Sequence, residues 1–180
     1  MNLLLRRWKL SDVESLSINA NNASININMR DDFPYPYTLL DAKNFILEDM
    51  KQTKSSRFAI DIDGNAVGGI ELFLRTGEER IIGEISFWLG ERFWNKGIMS
   101  KALSKAIDYF FEKFSIFKIY AIVFDYNIIS QHILKKKYFV KEAILKQSAI
   151  KNDIIIDQYY YSLPREKWLS ENYQSCLVII

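Results

Sequence analysis

The stretch Trp94-Asn95-Lys96-Gly97-Ile98-Met99-Ser100 decides the fold of this 180-residue chain. It links a strand-like run to a helix whose apolar residues recur at the spacing of one buried stripe. The first turn of a helix exposes N–H groups without internal partners, at the positive end of the macrodipole. Because Gly97 has no Cβ, an anion can approach this backbone closely. The turn therefore favours phosphate or pyrophosphate binding. The residues of the stripe are Met99, Ala102, Leu103, Ala106, Ile107, Phe110, Phe111 and Phe114.

The composition is that of one globular domain. Apolar residues make up 49% and charged residues 26%, with a net charge of +2, so neither nucleic acid nor an anionic membrane is an expected partner. The single Cys176 excludes an internal disulfide and fits a reducing compartment. The apolar part of the N-terminus is too short for a signal peptide, and no run reaches the roughly 20 apolar residues of a membrane span. We expect a cytoplasmic protein with one domain over residues 1–180, of which 165–180 are a C-terminal extension.

The N-terminal third alternates strand and helix signals. Residues 3–6 are typical of a strand, and Ser11 with Glu14 forms an S-x-x-E capping box that predicts a helix to about Asn22. Thr38 is the expected N-cap of a second helix. The apolar residues spaced for burial on that helix are Leu39, Ala42, Phe45, Ile46 and Met50.

Strand signals dominate the rest of the chain. Asp63-Gly64 indicates a hairpin, in a loop that we expect to be slightly longer than two residues. The amphipathic helix after Gly97 lies between two strands, which predicts a right-handed βαβ crossover. Pro164 is expected to end the last strand. The predicted strands are 57–62, 66–75, 81–89, 118–124, 139–147 and 154–163, and short helices are predicted at 128–136 and 165–172.

Several stretches, in this order and spacing, resemble the GNAT superfamily of N-acetyltransferases, in particular its RimJ/RimL-type branch of ribosomal-protein acetyltransferases. The resemblance runs along nearly the whole chain. It implies a mixed α/β fold: a mostly antiparallel sheet of about seven strands, with helices on both faces and splayed central parallel strands. The stretches that carry it are 5–6, 11–12, 33–38, 67–70, 83–89, 94–103, 127–130, Phe139, Glu142 and 157–159.

The resemblance also implies acetyl-CoA as the co-substrate, with no metal. The cofactor is expected where strand 84–89 splays from strand 118–124. Asn127, at the end of the second of these strands, borders the expected crevice, although an Asn before a helix also serves as a cap. The main chain of Phe87, Trp88 and Leu89 is expected to pair with the pantetheine arm. The backbone of Trp94, Asn95, Lys96, Gly97, Ile98, Met99 and Ser100 is expected to wrap the pyrophosphate.

The implied reaction is direct attack of a primary amine on the thioester, without an acyl-enzyme. Glu84 is the expected base for the acceptor ammonium, and by strand alternation it shares a face with Ser86 and Trp88. An ordinary solvent-facing glutamate is the other interpretation. The resemblance also implies Ser130 as the proton donor to the leaving thiolate. Many family members carry a tyrosine four residues further along this helix, and Leu134 stands at that position here.

The acceptor amine stays open between a protein N-terminus and a small molecule. Tyr35 and Tyr37 are expected to wall its pocket, or else to lie in a proline-shaped turn whose aromatic rings fill the core. Tyr138 occupies a position where the family has glycine, often at positive φ. This departure and the tyrosine missing at Leu134 motivate an alternative, a non-catalytic acyl-CoA-binding sensor on the same fold. The apolar tail 176–180 is expected to pack on the sheet or on a second copy, which would make a homodimer.

Overall fold

The computed structural model describes residues 2–52 and 56–177, with the side chains of residues up to 171. The strands are β1 (Leu3–Arg6), β2 (Arg57–Ile62), β3 (Asn65–Leu74), β4 (Ile82–Leu89), β5 (Lys118–Phe124), β6 (Val140–Lys151) and β7 (Ile154–Pro164). The helices are α1 (Val13–Ala20), α2 (Ala23–Asn26), α3 (Leu39–Met50), α4 (Ile98–Lys113), α5 (Ile128–Lys136) and α6 (Arg165–Leu177).

The seven strands form one sheet in the order β1-β2-β3-β4-β5-β7-β6. Pairing is antiparallel for β1 with β2, β2 with β3, β5 with β7, and β6 with β7, whereas β4 and β5 are parallel. The sequence prediction of a mixed, mostly antiparallel seven-stranded sheet is therefore confirmed. The parallel partners are joined through α4, as parallel neighbours require a crossover connection.

The chain divides into two compact units, one comprising Met1–Leu72 and Ser86–Ile107, the other Phe73–Ile85 and Asp108–Ile180. In the first, Trp8, Tyr37 and Ile46 belong to one buried apolar cluster. In the second, the Arg165 guanidinium donates to the carbonyls of Phe111, Phe114 and Ile116, which caps the C-terminal end of α4.

All eight residues of the apolar stripe predicted after Gly97 are buried, so that prediction is confirmed.

The first helix begins differently from the sequence prediction. A short 3-10 turn, Leu10–Asp12, precedes α1, and the Asp12 carboxylate accepts from the Lys9 N–H at 2.9 Å. The predicted Ser11–Glu14 capping box is wrong, because Asp12 performs the capping while Arg6 holds its carboxylate at 2.7 Å. The helix also ends earlier, at Ala20, and Asn22 caps α2 instead.

Helix α3 begins as predicted, with a capping box between Thr38 and Asp41. Ala42 and Ile46 are buried, but Leu39 and Met50 are more than half exposed, so their predicted burial is wrong. Their spacing is helical, yet they lie at the two ends of α3.

A buried carboxylate lies in the last turn of α3. Both side-chain oxygens of Asp49 lack a hydrogen-bond partner among the described residues, and burial raises its pKa, opposed by the charges of Arg7 and Arg57. This side chain therefore lowers the stability of the folded protein at neutral pH.

The hairpin turn between β2 and β3 is tighter than the sequence analysis predicts. Ile62 pairs directly with Asn65, so the loop contains only Asp63 and Gly64. Both have positive φ, 50° and 91°, as two-residue hairpin turns with the favoured twist require. The Asp61 carboxylate accepts from the Gly64 N–H at 2.7 Å and fixes the turn.

At the opposite edge of the sheet, β6 runs to Lys151, four residues beyond its predicted end, and β7 includes Pro164. The β6–β7 register shifts twice, between Lys141 and Ala143 and between Leu145 and Ala149. At the second shift the Asp157 carboxylate accepts from the Gln147 N–H at 2.9 Å and from Lys146 at 2.6 Å, and these contacts lower its pKa. The predicted tail contact of residues 176–180 lies outside the described side chains.

Candidate active site

The turn before α4 has the backbone conformation that close ligand approach requires. Asn95 and Gly97 both have positive φ, 58° and 70°, and asparagine is one of the few side chains that tolerates this region. The Gly97 carbonyl accepts from the Lys101 N–H at 3.2 Å, so Gly97 begins the hydrogen bonding of α4. A Cβ built on Gly97 would meet nothing within 4 Å. The position that a side chain at Gly97 would occupy is therefore open.

The loop between β4 and this turn is tied to the strand. The Trp94 indole Nε1 donates to the Leu89 carbonyl at 2.6 Å, and the Gly90 N–H donates to the Val67 carbonyl at 2.8 Å. The Leu89 carbonyl is thus one anchor of this loop. Lys96 donates to the Arg92 carbonyl at 2.9 Å, which holds its ammonium within the loop.

Gly68 of β3 allows the main chain of β4 to come close at Trp88. A Cβ at Gly68 would lie 2.5 Å from the Trp88 carbonyl oxygen and 3.0 Å from the Leu89 Cα. These are backbone atoms, so a side chain at Gly68 would have to displace the strand. The position of the Trp88–Leu89 backbone therefore depends on this glycine.

The parallel pairing of β4 with β5 is short. It covers Ile82, Gly83 and Glu84, opposite residues 118–120 of β5. The strand continues to Leu89 beyond this pairing. Phe87, Trp88 and Leu89 thus lie in the segment of β4 past the last residue pair, as the prediction of splayed parallel strands requires.

Glu84 is buried at the last paired position, with 4% of its surface exposed. Its Oε2 accepts from Arg75 Nη2 at 2.9 Å and from the Tyr120 hydroxyl at 3.3 Å. The interpretation of Glu84 as an ordinary solvent-facing glutamate is therefore wrong. A buried carboxylate is expensive unless it is paired and hydrogen-bonded, and both neighbours satisfy that requirement.

Tyr120 connects this cluster to β7. Its ring stacks on Tyr160 with 4.8 Å between centroids, and its hydroxyl accepts from Arg75 Nε at 2.7 Å. Burial raises the pKa of Tyr120, an effect that Arg75 opposes and Glu84 reinforces. Burial, Tyr120 and the nearby carboxylates Glu142, Glu84 and Glu79 raise the pKa of Tyr160 to about 12. Both phenols therefore stay protonated at neutral pH.

The start of α5 carries the other predicted polar residues. The Asn127 Oδ1 accepts from the Ser130 N–H at 3.0 Å, so Asn127 is the N-cap of the helix. Ser130 is partly buried in the first turn, and Leu134 is fully buried one turn later. Tyr138 has φ of 65°, which confirms the positive φ expected at this position.

The two predicted acceptor-wall tyrosines have different surroundings. Tyr35 is 52% exposed, whereas Tyr37 is 5% exposed and its ring lies 5.0 Å from that of Phe33. Burial, with a smaller contribution from Asp41, raises the pKa of Tyr37 to about 12. Tyr37 thus forms part of the core cluster, and only Tyr35 offers most of its ring to a ligand.

The contacts of Arg75 and Tyr120 with Glu84 were not predicted from the sequence. Arg75 lies at the end of one predicted strand and Tyr120 within another, so neither position was a candidate site residue. The β4–β5 register of the structure, which the sequence did not reveal, places Tyr120 directly opposite Glu84. No group of three or more potential metal-ligating side chains occurs in the described parts of the chain. Over the same residues, no helix combines the length and apolar character needed to cross a membrane.

Comparisons with known proteins agree on one family. The model of the acetyltransferase (GNAT) domain matches residues 2–140. An uncharacterized N-acetyltransferase p20 of Bacillus licheniformis is 31% identical over 116 residues, which cover 64% of this chain and 65% of that protein. The spermidine N(1)-acetyltransferase of Escherichia coli (strain K12) is 27% identical over 142 residues, or 78% of this chain and 74% of that protein.

A solved structure shows the same fold. RimL, a ribosomal-protein alpha-N-acetyltransferase solved in complex with coenzyme A, superposes with a TM-score of 0.81 at 19% sequence identity. The superposition covers 93% of this chain and 96% of the RimL chain. The matched regions cover 65%, 48% and 59% of the first three curated relatives. The chain thus spans less than two thirds of the length of those proteins.

Proposed function

Because this chain belongs to the acetyltransferase (GNAT) family, we propose that it transfers the acetyl group of acetyl-CoA to a primary amine. The amine nitrogen attacks the thioester carbonyl, the new N–C bond forms, and the C–S bond then breaks. The ammonium proton passes to Glu84, directly or through water, and the departing thiolate takes up a proton. This direct route needs no covalent acetyl-enzyme.

One observation carries the assignment of Glu84 as the base. It is buried at the last β4 position that pairs with β5, and two donors hold its carboxylate. Only the neutral amine is nucleophilic, so the reaction requires a group that accepts the acceptor's proton. A fixed carboxylate both attracts the cationic acceptor and takes that proton, and such a base contributes typically 10²–10⁴ in rate.

We assign acetyl-CoA binding to the end of β4 and the turn that follows it. The main chain of Phe87, Trp88 and Leu89 pairs with the pantetheine arm. A main-chain N–H of this segment also stabilises the developing oxyanion, often the largest single contribution to acyl transfer. The pyrophosphate is held by the turn of Trp94, Asn95, Lys96, Gly97, Ile98, Met99 and Ser100. The left-handed conformation of Asn95 and Gly97 and the unpaired N–H groups of a helix start support this assignment.

At the start of α5, we assign Ser130 as the proton donor to the thiolate and Asn127 as a residue that borders the cofactor. Asn127 also fixes the Ser130 backbone through its cap. Leu134 supplies no proton, which leaves the hydroxyl of Ser130 as the family-like choice on this helix.

The acceptor is a primary amine carried by a protein N-terminus or by a small molecule such as a polyamine. Both kinds of name occur among the similar proteins, a spermidine acetyltransferase and a ribosomal-protein acetyltransferase. We assign Tyr35 to acceptor contact because its ring is exposed. Tyr37 supports the acceptor region through Phe33, its ring neighbour.

A second candidate function is a non-catalytic sensor of acyl-CoA. Leu134 stands where many family members carry the tyrosine acid, and Tyr138 stands in a left-handed conformation that favours glycine. These two departures affect the reaction more than cofactor binding, so a sensor would retain affinity for acetyl-CoA without turnover.

Release of free thiol from acetyl-CoA across a panel of amines distinguishes the two functions. The panel contains spermidine, an aminoglycoside, free amino acids and peptides with unblocked N-termini. We expect turnover with at least one of them. Tight binding of acetyl-CoA by calorimetry, with no turnover on any amine, supports the sensor, and absence of binding contradicts both functions.

A further inference from the structure

We infer that Arg75 and Tyr120 are positioning residues that fix the Glu84 carboxylate for proton transfer. This inference rests on the proposed function, in which Glu84 is the base. Neither residue needs to touch the cofactor or the acceptor. Their role is to hold one carboxylate oxygen so that the group keeps a single orientation during turnover.

The three side chains form a closed triangle. Arg75 Nη2 donates to Glu84 Oε2 at 2.9 Å, and Arg75 Nε donates to the Tyr120 hydroxyl at 2.7 Å. The Tyr120 hydroxyl in turn donates to the same Oε2 at 3.3 Å. Each side chain thus contacts both others, and the guanidinium places two nitrogens on two different partners. A planar fork of this kind specifies orientation as well as charge.

Strand pairing and a main-chain hydrogen bond fix the positions of these three residues. Tyr120 and Glu84 are directly opposite each other in the β4–β5 register. The Arg75 N–H donates to the Ile82 carbonyl at 3.2 Å, which ties the end of β3 to the start of β4. The Arg75 guanidinium also lies over the Tyr120 ring, with Cζ 5.7 Å from the centroid. The arrangement therefore depends on strand positions rather than on flexible side chains alone.

Positioning matters for catalysis because a general base must lie within hydrogen-bond reach of the proton that it removes. Misplacement of a reacting group by about 1 Å can cost on the order of 100-fold in rate. Without Arg75 and Tyr120 the Glu84 carboxylate would lose the hydrogen bonds that these two residues donate to Oε2 and would no longer be held in this orientation. The predicted consequence is a lower kcat with little change in the KM for acetyl-CoA.

A purely structural ion pair is the competing explanation, and it predicts something different. Loss of a structural pair lowers the free energy of unfolding but leaves the kcat of the folded enzyme unchanged. Arg75 is well suited to separate the two, because 41% of its side chain is exposed. A small guanidinium ion from solution can therefore reach the space that its truncation leaves.

The test measures thiol release for Arg75→Ala, Arg75→Lys and Tyr120→Phe, with Arg80→Ala and Tyr161→Phe as matched controls. Arg80 is an exposed arginine near the same strand whose guanidinium donates to the Gly77 carbonyl. Tyr161 donates a buried hydroxyl bond of 3.3 Å to Gln131. We expect kcat to fall at least 10-fold for Arg75→Ala and Tyr120→Phe, to recover partly with millimolar guanidinium or with Arg75→Lys, and to stay unchanged in both controls.

A double-mutant cycle with Glu84→Gln completes the test. If Arg75 acts through Glu84, Arg75→Ala lowers kcat in the wild-type background and has no further effect in the Glu84→Gln background. Equal losses in the two backgrounds, or an unchanged kcat for Arg75→Ala beside a slow Glu84→Gln enzyme, overturn the positioning role alone. An unchanged kcat for Glu84→Gln instead overturns the proposed base, and the positioning role with it.

Discussion

Gly97 offers the sharpest test of the cofactor turn, through the substitution Gly97→Trp. The φ of Gly97 is 70°, and a left-handed conformation costs an L-residue roughly 1–2 kcal/mol. The Cβ position has no neighbour within 4 Å, so the Cβ itself adds no steric clash to this cost. We therefore expect the free energy of unfolding to fall by about 1–2 kcal/mol, which leaves the protein folded.

The effect on cofactor binding is separate and larger. An indole in the open space before α4 blocks access to the N–H groups that we assign to the pyrophosphate. Loss of even one hydrogen bond to a charged group costs about 1.5–3 kcal/mol, which corresponds to a roughly 10- to 150-fold rise in Kd. Calorimetric titration with coenzyme A measures this Kd, and urea denaturation measures stability.

Gly77 provides the matched control for Gly97. Its φ is 61°, and its Cβ position is equally open, so Gly77→Trp carries the same conformational cost. The variant Gly97→Ala has the backbone strain of Gly97→Trp without the bulk of the indole, so it separates the two effects on coenzyme A binding. We expect similar losses of stability at both positions but weaker coenzyme A binding only at Gly97. If Gly97→Trp and Gly77→Trp bind coenzyme A with equal affinity, the pyrophosphate lies elsewhere and the reasoning is wrong.

Three further predictions concern the base, the sheet and the buried carboxylate. Glu84→Gln should lower kcat in the thiol-release assay by about 10²–10⁴-fold, at an unchanged KM for acetyl-CoA. The exposed Glu78→Gln is its control. Equal kcat values for the two variants would refute Glu84 as the base. Gly68→Ala should lower the free energy of unfolding by about 1–3 kcal/mol in urea denaturation and raise the Kd for coenzyme A, because the new Cβ would displace the Trp88 carbonyl. A Gly68→Ala variant as stable as the wild type would contradict this prediction. Burial raises the pKa of Asp49, so the folded state holds that proton more tightly than the unfolded state, and stability falls as pH rises above the ordinary value near 4. Asp49→Asn should therefore gain stability relative to wild type as pH goes from 4 to 7, and a pH-independent difference in urea denaturation would count against the assignment.

The sequence predicted those features that depend on local spacing and turn chemistry. The α4 stripe and the Thr38 cap follow from residues within a few positions of one another. The positive φ of Tyr138 was expected from the family resemblance, because the family has glycine at this position. The fold class followed because several such stretches occurred in the family order.

The features that the sequence did not reveal depend on contacts between distant residues. Arg75, Glu84 and Tyr120 meet only because strand register brings them together. A register shift of two residues leaves the same side chains on each face, so the hydrophobic pattern alone does not show which residues stand opposite each other. The Asp12 cap was missed for a different reason: it is a local contact, in which the Asp12 carboxylate accepts from the Lys9 N–H, but it caps a 3-10 turn that the sequence analysis did not predict. Burial at the ends of α3 was overestimated because spacing alone does not show where the core stops.

The irregular β6 edge also affects how copies of this protein behave at high concentration. An outermost strand of twelve residues would normally be a template on which a second molecule could add a strand, the first step of aggregation. The two register shifts interrupt its row of backbone groups, and Asp157 secures the second shift through Lys146 and Gln147. Without the Asp157 carboxylate the second register shift would lose these two contacts. We expect the effect on solubility and on resistance to aggregation during storage rather than on turnover.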